Sequence, residues 1–217
     1  GKEYKNGNLI FEGKYLNGKK WDGIIKQFDK NGKLLFEGGY SNGKINGKGI
    51  EYQFEYFFGK QKGYFEGEYL DGQRDGKGKE YYYGNLIFEG EYSKGKRKRG
   101  KEYENDELIF EGGYLEGERW NGIIKEFDRH GKLTFEGEYL KGEKNGKGKE
   151  YKNGKLIFEG EYLKGSRYNG KGKEYYYGEL IFKGEYSKGK RKGGKEYENG
   201  KLIFEGEYLN GRRWNRI

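Results

Sequence analysis

One short pattern, Phe-Glu-Gly, recurs along the whole chain and constrains its fold more than any other feature. The triplet begins at eight Phe residues and has one Phe-Lys-Gly variant, and successive Phe residues are 22 to 29 positions apart. The nine positions are Phe11, Phe36, Phe65, Phe88, Phe110, Phe135, Phe158, Phe182 and Phe204. A period of this length predicts an array of small structural units stacked side by side rather than one globular core.

A second, longer period groups these units into blocks. Of the six copies of Gly-Lys-Glu-Tyr, those that begin at Gly1, Gly100 and Gly194 are each followed twenty residues later by a Trp, namely Trp21, Trp120 and Trp214. We therefore interpret residues 1–217 as a single repeat array with four-unit blocks at 1–99 and 100–193 and a truncated third block at 194–217. Because the third block is short and the first residue is not Met, we expect the chain to be a piece of a longer array.

The composition excludes an all-α fold and argues against disorder. Of 217 residues 43 are Gly, and the chain contains no Pro, Cys, Met, Ala or Val. Without Ala, Val and Met a helical bundle has little to pack with, and each Gly in a helix costs about 1 kcal/mol relative to Ala. A charged fraction of 37% and a mean hydropathy of −1.27 resemble those of disordered chains. Disordered chains carry few aromatic residues, however, whereas here they make up 18% of the chain and recur periodically.

Each unit has the pattern of a β-hairpin. The chain contains eleven Asn-Gly and three Asp-Gly dipeptides, many of them between two runs of aromatic or aliphatic residues. Asn-Gly accepts positive φ at both central positions of a type I′ turn, which joins two antiparallel strands through two residues. With Asn153-Gly154 as a turn, the predicted cross-strand pairs are Tyr151 with Leu156, Glu150 with Ile157 and Lys149 with Phe158.

Strand alternation assigns the side chains of a unit to two faces. Leu156, Phe158, Gly160 and Tyr162 are expected on one buried face, where a ring from an adjacent hairpin lies over the bare backbone of Gly160. The opposite face is expected to carry a ladder of Glu residues that interleaved Lys side chains screen. The ladder residues are Glu12, Glu37, Glu66, Glu89, Glu111, Glu136, Glu159 and Glu205, with Lys183 as the exception.

The repeated sequence Phe-Glu-Gly-Glu-Tyr-Leu-x-Gly-x-x-x-Gly-Lys-Gly resembles the MORN (membrane occupation and recognition nexus) repeat. That repeat has the pattern Tyr-x-Gly-x-Trp/Phe-x-x-Gly-x-x-x-Gly-x-Gly over about 23 residues. The resemblance covers essentially all of residues 1–217 in nine units, although Phe replaces the first Tyr and Gly23-Ile-Ile and Gly122-Ile-Ile replace Gly-x-Gly. It implies an all-β fold, an elongated and curved single-layer antiparallel sheet of tandem β-hairpins.

The resemblance also implies that the repeats themselves are not catalytic, and the residues agree with this. The single His, His130, lies in a predicted turn, and the carboxylates recur so regularly that they offer no unique pair for acid–base catalysis. The absence of Cys excludes a thiolate nucleophile and Cys-based zinc sites. We therefore expect no enzyme activity and no catalytic, cofactor-binding or metal-binding residues.

Two basic runs are candidates for binding an anionic surface, and they lie 94 residues apart in the same unit of each block. Anionic membrane lipids are one candidate partner. Nucleic acid is disfavoured because the aromatic residues are needed for the core and 36 acidic residues are interspersed. The alternative that we favour is a pair of solvated loops. The candidate anion or lipid contacts are Lys96, Arg97, Lys98, Arg99, Lys190, Arg191 and Lys192.

Aromatic residues outside the Phe-Glu-Gly-Glu-Tyr pattern are candidates for contacting a protein partner. In the third unit the spacing widens to 29 residues, which predicts a longer hairpin with an aromatic tip. The tip either contacts a partner or folds back on the neighbouring hairpin. The three Trp residues either anchor a partner or, as we favour, fill the space beside a longer loop. The candidate partner contacts are Tyr56, Phe57, Phe58, Trp21, Trp120 and Trp214.

These features together predict a non-enzymatic scaffold. MORN arrays occur in cytoskeletal and ciliary scaffolds, in junctional membrane proteins and in some lipid kinases, so the resemblance implies a rigid platform that binds other proteins or self-associates. The alternatives are peripheral binding to anionic membrane lipids through the basic inter-hairpin loops and inhibition of a cognate partner. We expect a cytoplasmic location with cytoskeleton or membrane association, and we leave secretion open because the native N-terminus is not visible.

Overall fold

The computed structural model describes residues 1–54 and 60–214, and within them it contains 19 strands and no helix. The chain divides into two compact units, Gly1–Glu118 and Arg119–Ile217. Within each unit the strands pair antiparallel with their neighbours in sequence, so each unit is an open, single-layer sheet of tandem hairpins. The prediction of an all-β hairpin array is confirmed.

The two units have similar strand lengths. The first unit contains β1 (Lys2–Lys5), β2 (Asn8–Leu16), β3 (Lys19–Phe28), β4 (Leu34–Ser41), β5 (Lys44–Phe54), β6 (Gln61–Leu70), β7 (Gln73–Tyr82), β8 (Asn85–Ser93), β9 (Lys96–Glu104) and β10 (Glu107–Leu115). At the boundary begins β11 (Glu118–Phe127), followed by β12 (Leu133–Leu140), β13 (Glu143–Lys152), β14 (Lys155–Leu163), β15 (Ser166–Tyr176), β16 (Glu179–Ser187), β17 (Lys190–Glu198), β18 (Lys201–Leu209) and β19 (Arg212–Trp214).

Two-residue turns join most neighbouring strands at both edges of the sheet. At Asn153-Gly154 φ is 51° and 73°, and at Lys164-Gly165 it is 49° and 77°. Positive φ at both positions is the type I′ geometry that suits the twist of a hairpin. The predicted turn at Asn153-Gly154 is therefore confirmed, and Lys-Gly forms the same turn at the opposite edge.

A β-bulge near the turn changes the predicted register of the hairpin. Between β13 and β14, Tyr151 pairs with Leu156 as predicted, but the register then shifts and Glu150 pairs with Phe158. The two other predicted pairs, which assumed no bulge, are wrong by one residue. The corresponding hairpins of both units carry the same shift, so the bulge is a regular feature of the repeat.

The bulge also corrects the predicted assignment of faces. Leu156 pairs with Tyr151 and shares its face, so it does not lie on the face of Phe158, and its side chain is 39% exposed. Ile157, expected on the charged face, is buried instead. An extra residue in one strand shifts the alternation of side chains by one position, which explains both differences.

The register places glycine opposite glycine on successive strands, and Phe rings lie over these positions. Gly148 pairs with Gly137 on one side and with Gly160 on the other. A Cβ atom added to Gly148 would lie 2.7 Å from the ring of Phe135 in the preceding hairpin and 3.2 Å from that of Tyr162. The prediction that a ring of one hairpin lies over the bare backbone of an adjacent hairpin is thus confirmed, but the glycine is Gly148 and not Gly160. At Gly160 the closest atoms belong to the backbone of the next strand.

The Phe rings form the core of each unit, and Tyr rings pack edge-on against them. Phe158 and Tyr162, for example, have ring centroids 5.3 Å apart and an interplanar angle of 84°, the geometry that aromatic quadrupoles favour. We call the face that carries these rings the aromatic face. The opposite face, which carries the Glu ladder predicted above, is called the ladder face. The most deeply buried side chains are Phe11, Phe65, Phe88, Phe110, Phe135, Phe158 and Phe182.

Six of the fourteen Asn-Gly and Asp-Gly dipeptides lie inside strands and form no turn. Four of these side chains instead accept a backbone N–H from the turn of the next hairpin: Asn46 Oδ1 accepts that of Asp71 at 2.9 Å, and Asp75 Oδ2 accepts that of Lys94 at 3.0 Å. Successive turns are thereby stacked along one edge of each sheet. The six dipeptides begin at Asp22, Asn46, Asp75, Asn121, Asn145 and Asn169.

Candidate functional site

The main repeated polar feature is a cluster on the aromatic face that we call the Tyr–Glu–cation triad. The Tyr162 hydroxyl donates to Glu150 Oε2 at 2.9 Å, and Arg167 Nε donates to the same oxygen at 2.8 Å. The Arg167 guanidinium lies 4.9 Å from the ring centroid of Phe158, within the range of a cation–π contact. Tyr and Glu come from one hairpin and the cation from the next, so the triad joins consecutive hairpins.

The triad recurs along both units. In the repeat of Phe110 the Tyr114 hydroxyl also donates to Glu102 at 2.6 Å, whereas the repeat of Phe36 lacks the triad. Gln27 and Ile45 occupy the positions of the Glu and the cation, and there Tyr40 donates its hydroxyl to the carbonyl oxygen of Gly43 at 2.6 Å. The chain thus contains its own triad-free comparison. The triads are Glu3–Tyr15–Lys20, Glu51–Tyr69–Arg74, Glu80–Tyr92–Arg97, Glu126–Tyr139–Lys144, Glu150–Tyr162–Arg167, Glu174–Tyr186–Arg191 and Glu196–Tyr208–Arg213.

Burial and pairing act in opposite directions on the triad carboxylates. Burial alone raises the pKa of Glu150, but hydrogen bonding and charge from Arg167 and the Tyr162 hydroxyl outweigh it and hold that pKa below its ordinary value. The same balance lowers the pKa of Glu196. Burial, together with the hydrogen bond to Glu196, raises the pKa of Tyr208 to about 12. At neutral pH Glu150 and Glu196 are therefore ionised and Tyr208 is protonated.

The sequence carries a signal for the triad that we did not use in prediction. In the triads the cation lies nine residues after the Phe of the same repeat, as in Phe88 with Arg97 and Phe182 with Arg191. Both Arg residues fall within the basic runs. Judged by composition, the runs resemble solvated loops, but the fixed spacing distinguishes one inward-facing cation in each.

Arg97 and Arg191 are accordingly committed to carboxylates on the aromatic face. Arg97 contacts Glu80 at 2.6 Å and Glu102 at 3.3 Å, and its side chain is only 23% exposed. Arg191 contacts Glu174 at 2.6 Å and Glu196 at 2.8 Å. These two guanidinium groups act between hairpins.

The other basic side chains of the two runs are more exposed and differ between the units. In the first run each has a carboxylate partner, whereas the exposed Lys190 and Lys192 form no ion pair with any residue that the structure describes. Binding of these side chains to an anionic surface stays a prediction. The ion pairs of the first run are Lys96–Glu116, Lys98–Glu91 at 3.9 Å and Arg99–Glu91 at 2.6 Å.

The three Trp residues lie in strands rather than in loops. Trp21 is half-buried at a bulge in β3, and its carbonyl oxygen accepts the N–H of the turn residue Gly43 at 3.2 Å. Trp120 and Trp214 are 37% and 40% exposed. Their contact with a partner stays a prediction. The other predicted contacts, Tyr56, Phe57 and Phe58, lie outside the described residues.

Two equivalent turns expose pairs of Tyr rings that were not predicted from the sequence. The sequence Tyr-Tyr-Tyr-Gly occurs at 81–84 and again at 175–178. Tyr177 has a φ of 47° and is 91% exposed, and its ring centroid lies 4.5 Å from that of Tyr176, which is 64% exposed. Tyr83 has the same φ. A bulky residue at positive φ is uncommon. The repetition of Tyr-Tyr-Tyr-Gly in the second block is the sequence feature from which these exposed pairs could have been predicted.

Over much of the ladder face Glu and Lys alternate between neighbouring strands, which confirms that lysines are interleaved with the Glu ladder; Ile24, Ile50 and Lys183 interrupt the alternation. Glu89 lies between Lys79 and Lys101 in the register and contacts Lys79 Nζ at 3.6 Å. Its carboxylate also accepts the Tyr103 hydroxyl at 2.8 Å. Exposed ion pairs contribute about 0–1 kcal/mol each, so this face adds little to the free energy of unfolding.

His130 lies in the turn at 128–131, as predicted, and its backbone N–H donates to Asp128 Oδ1 at 2.8 Å. Lys132 donates its backbone N–H to the same oxygen at 3.0 Å. These two hydrogen bonds lower the pKa of Asp128. Within the described ranges we find no cluster of three or more His, Asp or Glu side chains suited to a metal ion. The same ranges contain no helix of the length and apolarity that a membrane span requires.

No protein-family model matches the sequence, and no curated protein matches it significantly. The functional interpretation therefore depends on the geometry of the chain itself.

Proposed function

We propose that the chain is a non-enzymatic scaffold, a MORN-like hairpin array that binds other proteins or further copies of itself. Its aromatic face is filled by rings and triads that connect consecutive hairpins. These contacts recur with little variation from hairpin to hairpin, as a supporting structure requires. The carboxylates on this face are held by cations of the chain itself.

The observation that carries the proposal is the pair of Tyr tips, Tyr82–Tyr83 and Tyr176–Tyr177. Exposed neighbouring rings at the end of a hairpin are a typical anchor for a protein partner, because Tyr combines a large apolar surface with a hydroxyl group. Tyr83 and Tyr177 also hold a backbone conformation that Asn or Gly adopts more easily. Tyr at these positions therefore makes the turn less stable than Asn or Gly would, and contact with a partner explains why Tyr is present.

A first experiment tests self-association through the tips. Sedimentation velocity over a wide range of protein concentration is expected to show assemblies that disappear in the double variant Tyr176→Ser, Tyr177→Asn. Asn tolerates positive φ, so this variant keeps the turn. A chain that stays monomeric throughout would contradict self-association.

A second experiment tests binding to another protein. A photo-crosslinking residue at position 177 is compared with the same residue at position 153, an exposed turn without Tyr neighbours. Crosslinks to one defined protein from position 177 only would support the proposal. Equal crosslinking from both positions, together with a monomeric chain, would contradict it.

A further inference from the structure

Three lysines lie directly opposite one another on consecutive strands of the second unit. In the register, Lys173 pairs with Lys183, and Lys183 pairs with Lys195. We call these three residues the lysine row. Like charges directly opposite each other destabilise a sheet. Lys195 contacts Glu205 at 3.1 Å, whereas Lys173 and Lys183 form no ion pair within the described part of the chain.

The first unit contains the same site with one carboxylate in place of a lysine. Ninety-four residues earlier, Lys79, Glu89 and Lys101 occupy the positions of Lys173, Lys183 and Lys195. There the central Glu89 contacts Lys79 and completes an alternating row. The lysine row therefore differs from its counterpart by the reversal of one central charge.

A neighbouring hydroxyl group loses its acceptor through the same difference. Tyr103 donates to Glu89 at 2.8 Å, and Tyr151 donates to Glu136 at 2.6 Å in the same way. Tyr197 is the counterpart of Tyr103 in the second unit, but Lys183 occupies the position of its acceptor Glu89. The Tyr197 hydroxyl forms no hydrogen bond with the residues that the structure describes, so it remains a donor beside the lysine row.

The row and Tyr197 line an open groove that has a glycine floor. The backbone of Gly184, Gly194 and Gly206 forms the floor, and a Cβ atom added to any of them would lie within 2.9 Å of a Phe ring. Carboxylates also line this groove, and they lie opposite other cations: Glu159 and Glu185 pair in register with Lys171, and Glu205 contacts Lys195. Four lysines and three glutamates thus line the groove, which leaves it a net positive charge beside Lys173 and Lys183.

We propose that the lysine row binds a multivalent phosphate anion, such as a short linear chain of condensed phosphate. Neighbouring strands are about 4.8 Å apart, so the row spans about 10 Å, which is longer than a single phosphate group. Lysine ammonium groups bind phosphate oxygens as point charges. Tyr197 supplies a hydroxyl donor at the edge of the row, and the groove admits the chain along the ladder face.

Calorimetric titration with tripolyphosphate as the probe tests this site on the whole chain. The chain is expected to bind one equivalent, with an affinity that falls as salt rises. The substitution Lys183→Glu introduces the Glu found at the other ladder positions. It should weaken binding of tripolyphosphate by at least about tenfold. Lys30→Glu, an equal change of charge at an exposed turn position, should leave binding unchanged.

The reverse substitution tests the same inference as a gain of function. Glu89→Lys creates a second lysine row in the first unit, so the stoichiometry should rise to two equivalents even if Lys183→Glu folds poorly. Circular dichroism confirms the fold of each variant.

Three results would overturn the proposal. They are equal weakening by Lys30→Glu, an unchanged stoichiometry in folded Glu89→Lys, and inorganic phosphate binding as tightly as tripolyphosphate. A last measurement tests binding of the chain to vesicles of phosphatidylserine. Lys183-dependent binding to vesicles without binding to tripolyphosphate would assign the row to a membrane surface instead.

Discussion

At the scale of single residues, the triad carboxylate determines whether two partly buried polar groups have a partner. In Glu150→Ala the Tyr162 hydroxyl and the Arg167 guanidinium lose their shared acceptor. Since Tyr162 is buried and the Arg167 side chain is only 23% exposed, we expect the free energy of unfolding to fall by about 1–3 kcal/mol. This is less than the loss of a fully buried ion pair would cause. Urea unfolding followed by circular dichroism measures the change.

The triad-free hairpin provides the matched control for this substitution. Gln27 occupies the Glu position but is exposed, and Tyr40 already bonds to a carbonyl oxygen. Gln27→Ala should therefore change the free energy of unfolding by no more than about 0.5 kcal/mol. Equal losses in the two variants would show that the triads do not stabilise the array.

The triads also predict a stability plateau with a decline at each end of the pH range. The pKa values of Glu80, Glu150 and Glu174 are lowered by their Arg and Tyr partners against the effect of burial. A lowered pKa contributes stability above the unfolded value near 4.5, and this stability is lost as pH falls through the folded value. The raised pKa of Tyr208, about 12, contributes stability below pH 10 that is lost as pH rises towards 12.

Thermal melts across the pH range check this profile. The melting temperature should be nearly constant from about pH 6 to pH 9 and fall on both sides. In Glu150→Ala the acid decline should be shallower, because one depressed carboxylate is absent. A melting temperature that rises steadily into the acid range would contradict the assignment of ionised triad carboxylates.

At the scale of the hairpin, the sequence predicted the turn at Asn153-Gly154, the shared face of Phe158 and Tyr162 and the aromatic core, because each depends on neighbouring residues. It did not predict the bulge at Ile157, since an inserted residue leaves the local pattern unchanged. Asn46 and Asp75 resembled turn residues because each precedes a Gly. The dipeptide alone does not show whether the residue lies in a turn or, as here, within a strand with its side chain bonded to the turn of the next hairpin. Arg97 was interpreted as part of a charged run because its partner Glu80 is seventeen residues away.

The glycine pairs give a prediction at this scale. In Gly148→Ala the new Cβ atom would lie 2.7 Å from the Phe135 ring, so the ring or the strand must move, and we expect a loss of about 1–3 kcal/mol. At Gly193 an added Cβ would meet only a backbone oxygen at 3.7 Å. Gly193→Ala should therefore be neutral or stabilise by up to about 1 kcal/mol, through reduced freedom of the unfolded chain. Urea unfolding of the two variants distinguishes packing from a general need for glycine.

At the scale of the whole molecule, the described strand pairs within each unit connect neighbours in sequence. Such an array is quasi-one-dimensional, and a local defect should weaken its own hairpins before distant ones. Gly148→Ala tests this expectation because its defect lies at one known place in the second unit. If each hairpin depends mainly on its neighbours, protection should be lost first where the Phe135 ring is displaced.

Hydrogen exchange measured by mass spectrometry resolves where protection is lost. We expect amide exchange in Gly148→Ala to accelerate most in β12, β13 and β14, less in β17 and β18, and least in β6 to β8 of the first unit. The same measurement on Gly193→Ala should show no such gradient. Uniform acceleration along the chain would instead mean that the hairpins unfold as one cooperative body, and stability could not then be assigned hairpin by hairpin.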